Sequence, residues 1–296
     1  MAKKFIEEST LSAIGNSIRA KTGKTNKIPP LNMPTEILNI QAGGIEPYVE
    51  ETYDSSGNIT KAKFVGHTLI RDRAFMSCNT IVSVNLPSSI TKIGNSAFQD
   101  CTKLALTSLP SGITNIGDSA FQHCPNLALT RLPSGITNIG RSAFYSCSKL
   151  ALTSLPSGIT TIGKYAFESC TKLALTSLPS GITNIGDMTF DNCTNLALTS
   201  LPSGITNIGN SAFRNCTKLA LTRLPSGITN IGDMAFYDCT NLITITFEGT
   251  PTIINSTAFQ TCSNLTTINV PWSEGEVANA PWGATNATIN YNYTGG

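Results

Sequence analysis

Nine cysteines stand at positions 78, 101, 124, 147, 170, 193, 216, 239 and 262, each 23 residues after the last. A phenylalanine keeps step three residues ahead of every cysteine, from Phe75 and Phe98 to Phe236 and Phe259. An Ile-Gly column runs from Ile93-Gly94 to Ile231-Gly232, and a Leu-Pro column from Leu86-Pro87 to Leu224-Pro225. A unit this short cannot bury an apolar face alone, so copies must stack and complete one another's core. The expected fold is a repeat solenoid, a β-rich coil over residues 75–269. A helical segment (1–44) and a cap (45–74) precede it, and a second cap (270–296) follows.

One unit, Cys101 to His123, shows how a coil is built. Leu104, Leu106 and Leu109 form an apolar stretch that reads as a short strand. Pro110 ends its ladder, and Ser111-Gly112 makes a turn in which glycine is free to take positive φ. Ile113 to Ile116 reads as a second short strand. Gly117 turns the chain again, and Ser119-Ala120-Phe121 reads as one helical turn that carries Phe121 inward. With strands ~4.8 Å apart, the cysteine-bearing body is about 40 Å long.

Stacking puts the cysteines in a ladder. Structural zinc needs ligands that converge from close pairs, which parallel side chains one coil apart do not supply. Disulfides need facing Cβ atoms, and an odd number of cysteines cannot all pair within one chain. Cysteine is therefore read as a small buried hydrophobe beneath the phenylalanine, reduced as cytoplasmic folding would leave it.

The outer coils place apolar residues 3, 6 and 8 positions after the cysteine, as in Ile81, Val84 and Leu86. The six inner coils use 3, 5 and 8, with threonine at position 6: Thr107, Thr130, Thr153, Thr176, Thr199 and Thr222. Strict alternation would display Leu106, Leu129, Leu152, Leu175, Leu198 and Leu221 on the sheet face as an interaction stripe. A bulge would turn them into the core, and it is the favoured reading because an exposed leucine ladder invites aggregation. Leu175→Ala separates the two: a buried side chain costs ~2 to 5 kcal/mol, a displayed one almost nothing.

The net charge of +2, with 13% charged residues, gives no clustered basic face, so neither nucleic acid nor an anionic membrane is an expected partner. No apolar run reaches the 18 or more residues that span a bilayer. Met1 to Glu8 lead into no apolar core of a secretory signal. Catalysis needs convergent tuned groups, whereas His67 and His123 are isolated and the acids recur as single surface substitutions. No enzyme activity, cofactor or metal is expected.

Residues 5–44 lie outside the repeat. Ser9 or Thr10 caps a helix with Leu11, Ile14 and Ile18 on one face, and Pro34 suits the start of a second with Ile37, Leu38 and Ile40. Lys21-Thr22-Gly23-Lys24-Thr25 is not a phosphate loop, because Ile18 occupies the position of the first glycine. Residues 270–296 hold both tryptophans. Trp272 and Trp282 serve either as exposed anchors or, in the reading preferred here, as closure for the open core.

Variation among near-identical copies marks where the fold is indifferent. The candidate binding surface comprises Gln122, His123, Tyr145, Glu168, Asp191, Arg214 and Tyr237 on the turn face, Arg131 and Arg223 on the strand side, and Trp272 and Trp282.

The Leu-Pro, Ile-Gly, Ala-Phe and Cys-x-x-Leu columns over residues 75–270 resemble the BspA-type leucine-rich repeat of bacterial and protist surface proteins and phage structural proteins. The resemblance implies a right-handed, curved solenoid used for adhesion or protein binding, not catalysis. Thr10-Leu11, Ile14, Ile18-Arg19, Lys21 to Thr25, Met33-Pro34 and Ile37 resemble the N-terminal segment of tail-associated proteins in phages and prophages of Gram-positive bacteria. Together they imply a virion tail protein made in a bacterial cytoplasm. Residues 1–44 would meet virion or tail proteins, and the solenoid a host-surface glycan or protein, with homo-oligomerisation possible. The alternative is a BspA-like adhesin at the bacterial surface or secreted.

Overall fold

The computed structural model describes residues 47–295, all within one compact unit of the chain. The helices expected in 1–44 lie outside the described residues. The described chain opens with an antiparallel hairpin, β1 (Tyr48–Tyr53) and β2 (Ile59–Val65). At its tip Asp54 Oδ1 accepts the N–H groups of Ser56 and Asn58 at 2.9 Å, while Gly57 takes a φ of 81° that suits glycine.

Beyond the hairpin the chain coils as a β-solenoid with a 23-residue step. One side is an isoleucine ladder of two-residue parallel strands: β3 (Leu69–Ile70), then β5 (Lys92–Ile93), β6 (Asn115–Ile116), β7 (Asn138–Ile139) and β8 (Thr161–Ile162). It resumes with β9 (Asn184–Ile185), β10 (Asn207–Ile208), β12 (Asn230–Ile231) and β14 (Ile253–Ile254). Register is in phase throughout each sheet, isoleucine beside isoleucine.

The Leu-Pro side is a sheet only at its ends. There β4 (Ser83–Asn85) pairs with β2, and β11 (Arg223–Leu224), β13 (Thr244–Phe247), β15 (Thr267–Asn269) and β16 (Thr288–Asn290) form a parallel sheet. In between, Leu104-Leu106-Leu109 and its copies as far as Leu196-Leu198-Leu201 are not strands, contrary to the sequence expectation. Each makes one backbone bond to the preceding coil, such as Ala128 N–H to the Leu106 carbonyl at 2.9 Å. The physical reason is parity. Positions 5 and 8 both point inward, so two successive residues face outward and strand alternation fails. Leu106, Leu129, Leu152, Leu175, Leu198 and Leu221 are all buried, and the six position-6 threonines are exposed, as the bulge reading requires. Where the two registers meet, Val84, Leu86, Leu106, Leu109 and Pro110 line an open depression of about 410 Å³.

The turn side also differs from expectation, because it is not helical. Ser119 and His123 have φ of 53° and 55°, and the equivalent residues of other coils match them. Alternate N–H groups point along the solenoid axis: Ser96 donates to the Asp118 carbonyl at 2.7 Å, and Phe98 and Asp100 to those of Ala120 and Gln122 at 2.8 Å. The intervening Ala97, Gln99 and Cys101 close local turns onto Gly94, Ser96 and Phe98. Phenylalanine rings then stack from Phe75 to Phe259 with centroids 5.0 to 5.6 Å apart and planes within about 10°. Gly112 does not adopt positive φ either, so its turn needs no left-handed residue.

Eight of the nine cysteines are buried, and all of the described thiols are free. The thiol also has a polar role that the hydrophobe reading missed. Each Sγ from Cys101 to Cys262 donates to the phenylalanine carbonyl one coil back, as Cys124 to Phe98 at 3.0 Å. That carbonyl already accepts the N–H of its own coil's cysteine, so both its lone pairs are used. Cys78 has no such partner coil before it and is half-buried. Burial pushes these thiols up, Cys262 to about 12, which keeps them unreactive.

The Ile-Gly glycines are fixed by close approach. A Cβ on Gly140 would lie 2.5 Å from the Gly117 carbonyl carbon and 2.6 Å from the Asp118 nitrogen, whereas one on Gly158 would meet nothing nearer than 3.7 Å. Gly140→Ala is expected to cost ~1 to 3 kcal/mol or more through backbone displacement, and Gly158→Ala less than about 1 kcal/mol. Urea unfolding of both variants checks the contrast, and equal losses would contradict it.

Candidate interaction surface

The turn side carries the residues that differ most between copies. Gln122, Tyr145, Glu168, Asp191, Arg214 and Tyr237 occupy one column, because the position before the second left-handed residue points outward while Ala and Phe before it point in. All are half-buried except Asp191, whose side chain is 1% exposed. Arg214 Nε lies 3.0 and 3.1 Å from the two Asp191 oxygens, and a terminal guanidinium nitrogen lies 2.9 Å from Oδ2. This bidentate pair neutralises a carboxylate that burial would otherwise disfavour. Glu168, one coil earlier, has its carboxyl held above the usual range by burial and then by the Asp191 charge, with Arg214 opposing.

His123 stands in the adjoining left-handed column with its Nδ1 2.8 Å from Asp100 Oδ1 and its ring 5.0 Å from that of Tyr145. That column otherwise holds Asp, Ser, Asn and Thr, small polar residues that tolerate positive φ. Arg131 and Arg223 are exposed on the Leu-Pro side, four coils apart, and Arg223 pairs with Glu248 at 3.5 Å. The structure thus brings together the turn-face residues and leaves the two arginines separate.

Trp272 and Trp282 are not surface residues, which corrects their place among the candidates. They are 3% and 0% exposed and pack against Phe247, Trp272 edge-on at 5.2 Å and Trp282 tilted at 6.1 Å. Trp282 Nε1 donates to the Ala278 carbonyl at 2.7 Å. They close the C-terminal end of the core. Asp191, fully paired and buried, is likewise no contact residue.

A second outward column lies just after the Ile-Gly glycine, and sequence reading missed its work. Asn95, Asp118, Asp187 and Asn210 each accept, through a side-chain oxygen, the backbone N–H of the same position one coil on, at 2.8 to 3.1 Å. The signal was there in the recurrent Gly-Asp and Gly-Asn pairs. Arg141 and Lys164 break the column, since neither can accept. The next residue breaks a rule too. It is serine at 96, 119, 142 and 211, all left-handed, but Tyr165, Met188 and Met234 take φ of 62°, 51° and 51°. Such backbone in a bulky residue costs of order 1 kcal/mol or more.

Arg141, Lys164, Tyr165 and Met188 flank a seam, whereas Met234 takes the same backbone where the ladder is intact. The isoleucine ladder is interrupted between β8 and β9. There the Thr N–H to Thr carbonyl and Gly N–H to Ile carbonyl bonds, formed by Thr160 and Gly163 at 3.0 and 2.9 Å, are not repeated by Thr183 and Gly186. A Cβ on Gly186 would first meet Lys164 Cγ at 3.0 Å rather than backbone. Lys164 instead pairs with Asp187 at 2.7 Å, and Arg141 lies over the Tyr165 ring at 5.2 Å.

Stacked coils with inward leucines define a leucine-rich-repeat solenoid. The chain belongs to the BspA type leucine-rich repeat region family, whose model matches residues 68–197 and 195–280. No curated protein matches the sequence. Among solved structures, a leucine-rich repeat protein from Bacteroides ovatus is 20% identical, with 85% of this chain and 76% of that one covered and a TM-score of 0.53, a likeness of fold. A T. pallidum leucine-rich repeat protein is 29% identical over 57% of this chain and 87% of its own, with a TM-score of 0.46. A leucine-rich cell surface protein from Faecalibacterium prausnitzii is 21% identical over 86% and 97%, with a TM-score of 0.37.

Glu168 yields a pH prediction. Its folded-state pKa is raised, so the ionised form destabilises the fold at pH above that value. The penalty fades as pH falls and is gone below the unfolded value near 4.3. Glu168→Gln should therefore raise Tm at about pH 8 and leave it unchanged at about pH 3. Thermal unfolding at both pH values tests this, and a gain confined to acid would reverse the sign.

Proposed function

We propose that this chain is a non-catalytic binding scaffold whose turn face contacts a partner. The observation that carries the reading is the division of labour within each coil. Buried leucine, isoleucine, phenylalanine and cysteine repeat almost without change, whereas the outward turn positions change identity from coil to coil. Membership of the BspA-type family supports a role in adhesion or protein binding. Its occurrence in bacterial surface proteins favours display of the solenoid at a bacterial surface, with a glycan or protein as the partner.

The second reading, a tail-associated virion protein anchored by residues 1–44, is favoured by the resemblance of the Thr10 to Ile37 string. That segment lies outside the described residues, so its support is the sequence. Immunogold electron microscopy with antibody against residues 78–262 separates the two. Gold on cell envelopes with bare particles is the expected result for the surface role. Gold at tail tips would replace it with the virion role, and gold on neither would contradict both.

A further inference from the structure

We propose that the seam between the Cys147 and Cys170 coils is a protein-docking surface on which Arg141, Tyr145, Tyr165 and Met188 receive an acidic side chain flanked by apolar groups. The inference rests on the scaffold reading above and names the face and the partner's chemistry.

Four neighbouring substitutions here each work against the solenoid. Arg141 and Lys164 remove side-chain acceptors that other coils use to hold the next backbone N–H. Tyr165 and Met188 put bulky side chains where the backbone is left-handed, and the axial N–H bonds of Ser142, Tyr165 and Met188 around the seam are 3.0, 3.0 and 2.9 Å, against 2.7 Å for Ser96, Ser119 and Ser211. Burial does not offset the strain, because Tyr165 and Met188 stay half-exposed and Arg141 is exposed. The isoleucine ladder opens between the coils that carry Lys164-Tyr165 and Met188, one coil beyond Arg141. Local rules broken together without a gain in packing mark a place shaped by contact with something else.

The chemistry of the patch selects the partner. Tyrosine, arginine and methionine are the side chains enriched at the centres of protein interfaces, and methionine adapts to irregular apolar surfaces. Lys164 is already engaged by Asp187. No carboxylate among the described residues pairs with the Arg141 guanidinium, which the Tyr165 ring holds at 5.2 Å. A guanidinium steadied on a ring presents its planar fork to a carboxylate. A sugar stacking on the face of the Tyr165 ring that the guanidinium occupies would have to displace it.

The test compares the full chain with a variant carrying Arg141→Asn, Lys164→Asn, Tyr165→Ser and Met188→Ser, residues that neighbouring coils use at these positions. Both are panned against a displayed random peptide library, and enriched peptides are synthesised and titrated. The expected result is enrichment of Asp or Glu beside Leu, Phe or Tyr, binding weakened about tenfold or more in the variant, and a Tm in the variant equal to or above that of the parent. A Tm several degrees lower would show that these side chains serve the fold and would overturn the proposal. So would peptides that bind the variant as well as the parent. If such peptides lose affinity on Gln122→Ala with Tyr237→Ala, the turn-face scaffold reading stands and the seam does not. Absence of any enrichment would sink both.

Discussion

Alternate backbone N–H groups on the turn side point along the axis and bond the next coil's carbonyls, and the rest of the solenoid follows from that constraint. A chain can aim its N–H groups this way only by passing through left-handed backbone twice per coil, as at Ser96 and Asp100. The requirement selects serine, asparagine and aspartate at those positions. It also sets the inward residues between and after them, which become the stacked phenylalanine and the cysteine beneath it. The cysteine thiol then satisfies the one remaining lone pair of the phenylalanine carbonyl. A hydrophobe of equal size would leave that buried acceptor short of a donor.

Close coil spacing produces the other invariants. Glycine follows isoleucine because the preceding coil's backbone lies within 2.5 to 2.8 Å of where a Cβ would stand at Gly94, Gly117, Gly140, Gly163, Gly209 and Gly232. An Asx residue follows glycine because the next N–H needs an acceptor there. Where Lys164 stands instead, Gly186 gains room and the strand ladder opens, while over Arg141, one coil earlier, Gly163 stays tight and β7 stays paired with β8. Local stability and surface chemistry are thus traded at the same residues, and this is what makes the seam legible as a site of contact.

Much of this was readable in the sequence because burial leaves a periodic record. The 23-residue step, the core columns and the inward turn of Leu106 and its copies all follow from which positions stay apolar. What was not readable was backbone conformation. Serine at 119 and histidine at 123 carry no strong signal for positive φ, so a turn built from left-handed residues reads as a helical one. The loss of strand pairing at Leu104 to Leu109 follows from the same parity shift that buries Leu106, yet it needed backbone bonds to be seen. Of the candidate surface, the turn column was legible as variation. The tryptophans close the core as the preferred reading had it, though they also stood among the surface candidates, and Asp191 was misplaced because sequence does not say which variable polar residue finds a partner inside.

The central claim is that each coil is held by an in-phase ladder to the next, so that whole coils are interchangeable and fractions of one are not. Removing residues 193–215, one full step, should leave a protein that unfolds cooperatively in urea with a proportionately smaller m-value. Removing residues 193–214 should lower the midpoint and split or broaden the transition, since the one junction between the Cys170 and Cys216 coils would be a residue out of phase while the coils on either side keep their own register. Equal cooperativity in the two deletions, or loss of folding in both, would contradict the account.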